Sequence, residues 1–158
     1  MASAQRQGEA LELELSRTFR ASREEVFTAW TTAEGLKRWS APGEAQVAVA
    51  EVDLRVGGRY RIDMQGPDGT IYRVTGVYRL VDPPKKLVYT WRWDHAPDDP
   101  ETLVTVDFLD RQPGTEIRLL HTGLASEESR KRHRDGWEGC LEKLVAMMGT
   151  PAPGRSVT

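Results

Sequence analysis

Apolar residues recur at every second position along most of this chain and at helical spacing only in two stretches. In LELELSRTF, Leu11, Leu13, Leu15 and Phe19 fall on one side, with Arg17 interrupting the row. That is the period of a half-buried strand. Ser22 and Glu25 then form a capping box, in which hydroxyl and carboxylate satisfy the free N–H groups of a starting helix. Val26, Phe27 and Trp30 supply its apolar face. Thr31 and Glu34 repeat the spacing and predict a second short helix, carrying Leu36 and Trp39. Pro42 stops it, because proline cannot continue the hydrogen-bond ladder.

From Val47 to Leu124 the period stays at two. Val52, Leu54 and Val56 alternate, and Gly57-Gly58 turns the chain. Tyr60, Ile62 and Met64 follow, then the Pro67-Asp68-Gly69 turn, then Tyr72, Val74, Gly76, Tyr78 and Leu80. Past Asp82-Pro83-Pro84 come Leu87, Tyr89, Trp91 and Trp93, a loop at Pro97–Pro100, and Val104, Val106 and Phe108. Pro113-Gly114 turns into Ile117, Leu119 and His121. Short turns with no intervening helix predict an antiparallel meander with one buried face. The stretch from Ser126 to Met148 then returns to helical spacing. His133, Trp137, Cys140, Leu141, Leu144, Val145 and Met148 share its apolar side. This is the one element large enough to cover the sheet. The expected fold is α+β of the helix-grip type: a curved antiparallel β-sheet wrapped around a long C-terminal α-helix, with two short helices after the first strand.

Composition narrows the class. The 158 residues hold 22 Lys and Arg against 24 Asp and Glu, a net charge of −2, with 39% hydrophobic and 29% charged residues. These are the proportions of a folded domain, and the length suffices for one core. The charge balance gives no reason to expect nucleic acid or an anionic membrane as partner. No apolar run reaches the roughly 20 residues that span a bilayer. Met1–Ala10 lacks the apolar segment of a secretory signal. Cys140 is the lone cysteine, so no internal disulfide can form. The expectation is a cytoplasmic protein with one domain over residues 11–148, between flexible tails at 1–10 and 149–158.

The element order, together with Thr31–Pro42 (TTAEGLKRWSAP), Gly57–Arg61 (GGRYR), Gly76–Trp91 (GVYRLVDPPKKLVYTW), Thr115–Leu124 (TEIRLLHTGL) and His133–Leu144 (HRDGWEGCLEKL), resembles the START-like, or SRPBCC, superfamily. Within it the chain looks like the activator of Hsp90 ATPase homologue family. The resemblance implies the helix-grip fold and an apolar ligand held between sheet and helix. It also implies a chaperone ATPase as a candidate partner.

The inward face collects Tyr60, Ile62, Met64, Tyr72, Val74, Tyr78, Tyr89, Trp91, Trp93, Leu119 and His121, opposed by Trp137 and Leu141 on the helix. These are the candidate ligand-binding residues, since apolar walls with a few polar tips make a small-molecule site. A close-packed core would use the same side chains. The readings are compatible, because a curved sheet cannot follow a straight helix along its whole length and a gap opens at one end. Its entrance is expected near Trp39 or near Pro97–Pro100. His121 reads either as a polar anchor or as a histidine bonded to backbone at a strand end. Separations of 26 and 12 residues among His95, His121 and His133 match no metal pattern, and Cys140 has no CxxC partner. The basic run Arg130–Arg134 wraps around its helix as a solvated face. With no phosphate loop, GxSxG, HExxH or tight carboxylate pair, no catalytic residue, metal or cofactor is assigned. The leading expectation is a noncatalytic protein enclosing a small apolar or aromatic ligand. A co-chaperone-like domain acting on a chaperone ATPase is the alternative, and a cyclase- or hydrolase-type enzyme the third.

Overall fold

The computed structural model describes residues 11–149. Strand β1 (Leu11–Phe19) leads into helices α1 (Arg23–Thr31) and α2 (Ala33–Trp39). Six strands follow: β2 (Gln46–Val52), β3 (Arg59–Gln65), β4 (Ile71–Asp82), β5 (Lys86–Trp93), β6 (Thr102–Arg111) and β7 (Gly114–Leu124). Helix α3 (Glu127–Met148) ends the fold. The seven strands make one curved antiparallel sheet in the order β1-β7-β6-β5-β4-β3-β2, so β2 to β7 form the expected meander and β1 closes beside β7. Leu13, Phe19, Val74, Leu87, Val104, Val106, Ile117 and Leu119 are each at most 1% exposed on the inner face, and Leu141 and Leu144 of α3 join the same cluster.

Local chemistry sets the boundaries. Ser22 caps α1 with both halves of its box formed, Glu25 reaching back to the Ser22 N–H at 3.0 Å. The second cap sits one residue later than its spacing suggested. Thr32 receives the Gly35 N–H, while Thr31 ends α1 and donates its hydroxyl to the Phe27 carbonyl. Leu54 and Val56 are not strand residues. They lie exposed in the turn after β2, where Gly57 takes φ of 85°. Leu80 also leaves the inner face. A bulge between Tyr78 and Leu80 shifts the register with β5, so Val81 stands opposite Leu87 and Leu80 is 39% exposed.

Tails at 1–10 and 150–158 lie outside the described residues. Gly149, expected to open the second tail, instead closes α3. It donates to the Val145 carbonyl, and its own carbonyl accepts the Arg20 N–H at 2.8 Å. On the outer face, Asp63 is nearly buried between two guanidiniums. Arg61 bonds its carboxylate at 2.8 Å and Arg73, directly opposite on β4, at 2.9 Å. The Arg61 hydrogen bond, reinforced by Arg73, holds the Asp63 carboxyl down to about 2.

Candidate functional site

The space between α3 and the sheet is filled at one end and open at the other. At the filled end Trp30, Leu36 and Trp39 from the short helices meet Tyr60, Ile62, Tyr78 and Tyr89 from the sheet. The residual void there is about 10 Å³. Rings pack edge-on or tilted: Tyr60 and Tyr89 at 5.3 Å, Trp30 and Phe108 at 5.7 Å, Trp30 and Trp39 at 4.5 Å. Polar tips are satisfied within the protein. Trp30 donates to the Tyr89 hydroxyl at 3.1 Å, Trp39 to the Ala29 carbonyl at 2.9 Å and Tyr60 to the Thr90 carbonyl at 2.5 Å. Burial pushes the Tyr60, Tyr78 and Tyr89 phenols upward, so all three stay protonated.

At the open end a cleft of about 960 Å³ separates the first half of α3 from the ends of β3, β4 and β5. Met64, Tyr72, Trp91 and Trp93 form its sheet wall, and His133, Gly136, Trp137 and Cys140 its helix wall. The rim comes from Ser40–Ala45 after α2, the Gly66–Asp68 turn and Asp99. It opens to solvent, with Tyr72 40% exposed at the mouth, so it is a cleft and not the closed cavity that the pattern suggested. The Ser40–Ala45 segment is tied to α3, since Lys143 donates to the Ala41 and Ala45 carbonyls.

A hydrogen-bonded relay supports the floor. An indole only donates, so the 3.0 Å contact from Trp137 fixes His121 Nδ1 as acceptor and puts its proton on Nε2. That proton goes to the Thr102 hydroxyl at 2.7 Å, which donates in turn to the Trp91 carbonyl at 3.2 Å. His121 is thus bonded through side chains, not to backbone at a strand end. Its burial, with His133 beside it, pushes its pKa down to about 3. His133 takes the opposite tautomer: Nδ1–H donates to the Ser129 carbonyl at 2.7 Å, and Nε2 accepts from Trp93 at 3.0 Å. Burial lowers its pKa as well. Four of the five indoles therefore donate inside the protein. The fifth, Trp91, is 6% exposed, and its N–H is buried without a partner.

No group of three or more His, Cys, Asp or Glu side chains among the described residues is arranged to hold a metal ion. Burial pushes the Cys140 thiol up to about 12, which keeps it protonated and a poor nucleophile.

The model of the family described as activator of Hsp90 ATPase homolog 1-like protein matches residues 20–149. The chain belongs to this family. The human activator of 90 kDa heat shock protein ATPase homolog 1 is 27% identical over 124 residues, which are 78% of this chain and 32% of the human protein. The chain thus spans about a third of that relative's length. Among solved structures, a protein from Chromobacterium violaceum superposes with a TM-score of 0.81 at 25% identity, covering 89% of this chain and 98% of that one. An Hsp90 activator from Plasmodium falciparum gives a TM-score of 0.70 at 26% identity, covering 89% and 98%.

Within this member of the Hsp90-activator-like family, the thirteen residues singled out from sequence divide by depth. Met64, Tyr72, Trp91, Trp93 and Trp137 line the cleft, and Tyr60, Ile62, Tyr78 and Tyr89 pack around the small void below it. Val74, Leu119 and Leu141 are sealed in the core, with His121 beneath Trp91 and Trp137. Sequence reasoning left out His133, Gly136 and Cys140. Helical spacing already put His133 and Cys140 on the sheet-facing side of α3, and that was signal enough to include them. The rim comes from three separate loops: Pro42 and Glu44 just past Trp39 and Asp99 within Pro97–Pro100, the two places where an entrance is expected, and Asp68, which carried no such signal.

Proposed function

We propose that this protein binds a small, mainly apolar molecule in the cleft between α3 and the sheet, without transforming it. The observation that carries this reading is the cleft itself, about 960 Å³ and walled by Met64, Tyr72, Trp91, Trp93 and Trp137. The volume suits small-molecule sites. Cys140 is held as a thiol, and the lone pairs of His121 and His133 are taken up by the Trp137 and Trp93 N–H groups, so neither imidazole is free to act as a base.

The test is isothermal titration calorimetry with 2-acetylnaphthalene, alongside native mass spectrometry of freshly purified protein. Binding with one-to-one stoichiometry is expected, and it should vanish in Gly136→Leu. A Cβ at Gly136 meets nothing within 4 Å, so a larger side chain there enters the cleft without clashing. Absence of binding to the wild type, with no copurified molecule, would sink the reading. A second reading rests on the family: the Plasmodium relative named as an Hsp90 activator is covered over 98% of its chain. On that reading this protein engages a chaperone ATPase in the cytoplasm. A rise in ATPase rate on adding it to a purified Hsp90 would favour that role.

A further inference from the structure

We infer that the ligand is a neutral, flat aromatic molecule that lays a bare ring in the notch at Gly136 and keeps its polar groups at the mouth of the cleft. This rests on the binding role proposed above and specifies what is bound. Inward of Tyr72, the two walls offer no accessible N–H, O–H or ring nitrogen among the described residues. The Trp93 N–H is taken by His133 and the Trp137 N–H by His121. His133 gives its own N–H to the Ser129 carbonyl, and the Trp91 N–H is sealed from the cleft. A polar group carried inward would lose its water and gain no partner. The charged side chains of the lining, Glu44, Asp68, Asp99 and Arg132, lie at the rim, and none of them is buried.

What the walls do offer is rings, sulfur and one gap. Trp91 and Trp93 hold their planes at 86° with centroids 5.5 Å apart, so a flat ring stacked on one meets the other edge-on. Both are favoured aromatic geometries. Met64 brings a thioether to the sheet wall, and sulfur beside a ring edge adds an attraction that a saturated ligand forgoes. Gly136 makes the gap. It sits one turn from His133 and one turn from Cys140 on the same face of α3, and an added Cβ meets nothing within 4 Å. A flat ring can lie there against bare helix backbone. A saturated skeleton of the same size is thicker.

The experiment is isothermal titration calorimetry on the full chain at pH 7, with three probes of one skeleton: 2-naphthol, trans-decahydro-2-naphthol and 2,6-dihydroxynaphthalene. Area burial alone favours the saturated alcohol, which is bulkier and more apolar. 2-Naphthol should instead bind about ten-fold tighter, the ratio that one or two ring contacts supply beyond area burial. The diol cannot keep both hydroxyls at the mouth, so it should bind several-fold more weakly than 2-naphthol. Gly136→Ala should weaken 2-naphthol several-fold, with thermal denaturation confirming that the variant stays folded. If none of these probes binds, and 2-acetylnaphthalene does not either, the binding role itself fails and this inference with it. If the saturated alcohol binds as well as 2-naphthol or better, the aromatic assignment is overturned while the binding role stands. Equal affinity for the diol overturns the bare inner end, and unchanged binding in Gly136→Ala overturns the seat in the notch.

Discussion

The two ends of the interface between α3 and the sheet are made of the same residue types and come out differently. At the filled end Trp30, Leu36 and Trp39, delivered by α1 and α2, close the gap to a void of about 10 Å³, and both of their indoles have an acceptor. Around His133 and Gly136 no helix covers the sheet. Trp91 and Trp93 wall the open cleft there. Hydrophobic pattern alone does not separate the two ends. What separates them is whether a third element arrives.

Trp137 stands on the border and gives the strongest way to break the comparison. It packs on Trp91 at 5.1 Å and on Trp30 at 6.3 Å, and it donates to His121. Trp137→Ala is expected to cost about 3–5 kcal/mol, the usual range for deleting a buried tryptophan. The midpoint in urea should fall with the slope unchanged. A loss below about 1 kcal/mol would mean that the cleft extends past Trp137 and that the filled end begins deeper than described.

The second way is through pH. His121 and His133 both sit under the open end, and burial disfavours the charged form of each. In an unfolded chain an imidazole takes up its proton near pH 6.5. In the folded protein His121 does so only at about 3. Between those values the unfolded state binds the extra proton, so stability is complete above about 6.5 and declines as pH falls. The expected slope is about 1.4 kcal/mol per pH unit below pH 6 from His121, with His133 acting in the same direction. Asp63 does not mimic this, because its contribution is lost only below about pH 4, on the way to 2. Urea titrations at pH 7.5, 6, 5 and 4.5 test it, and His121→Asn should flatten the profile while lowering stability at pH 7.5. A flat wild-type profile would show that His121 is hydrated and that the floor of the cleft is not sealed.

Much of this architecture is legible from the alternation itself. Nine residues from Leu11 to Phe19 mark β1, and the Ser22–Glu25 pair marks the start of α1, because both signals are local. The errors share one cause: alternation says nothing about register. Leu54 and Val56 continue a period-two pattern past the end of β2, but Gly57 and Gly58 have already turned the backbone. Leu80 continues the pattern of β4, but a bulge has flipped the face. The candidate site was half readable for a related reason. Strand parity finds wall residues such as Trp91 and Trp93. It cannot tell them from Tyr60 and Tyr89, because the difference lies in what α1 and α2 cover. The pairing of His121 with Trp137 and of His133 with Trp93 depends on how α3 lies across the sheet, which no spacing encodes.

The finest test uses two glycines in α3. Glycine inside a helix costs about 0.5–1 kcal/mol relative to alanine, mainly in backbone entropy. Gly136 lies in the cleft wall, and an added Cβ meets no atom within 4 Å. Gly139, three residues on, faces the rim segment, and a Cβ there falls 2.9 Å from Pro42 Cβ and 3.2 Å from Pro42 Cα. Proline cannot swing aside, so the segment itself must move, against the two bonds from Lys143. Gly136→Ala is therefore expected to stabilise the protein by about 0.5–1 kcal/mol. Gly139→Ala should lose that gain or turn it into a net cost, despite the same helix and the same chemical change. Thermal denaturation of the two variants side by side measures the difference. Equal stabilisation of both would mean that α3 stands clear of the Pro42 segment, and that the cleft is wider at its rim than the contacts from Gly139 and Lys143 allow.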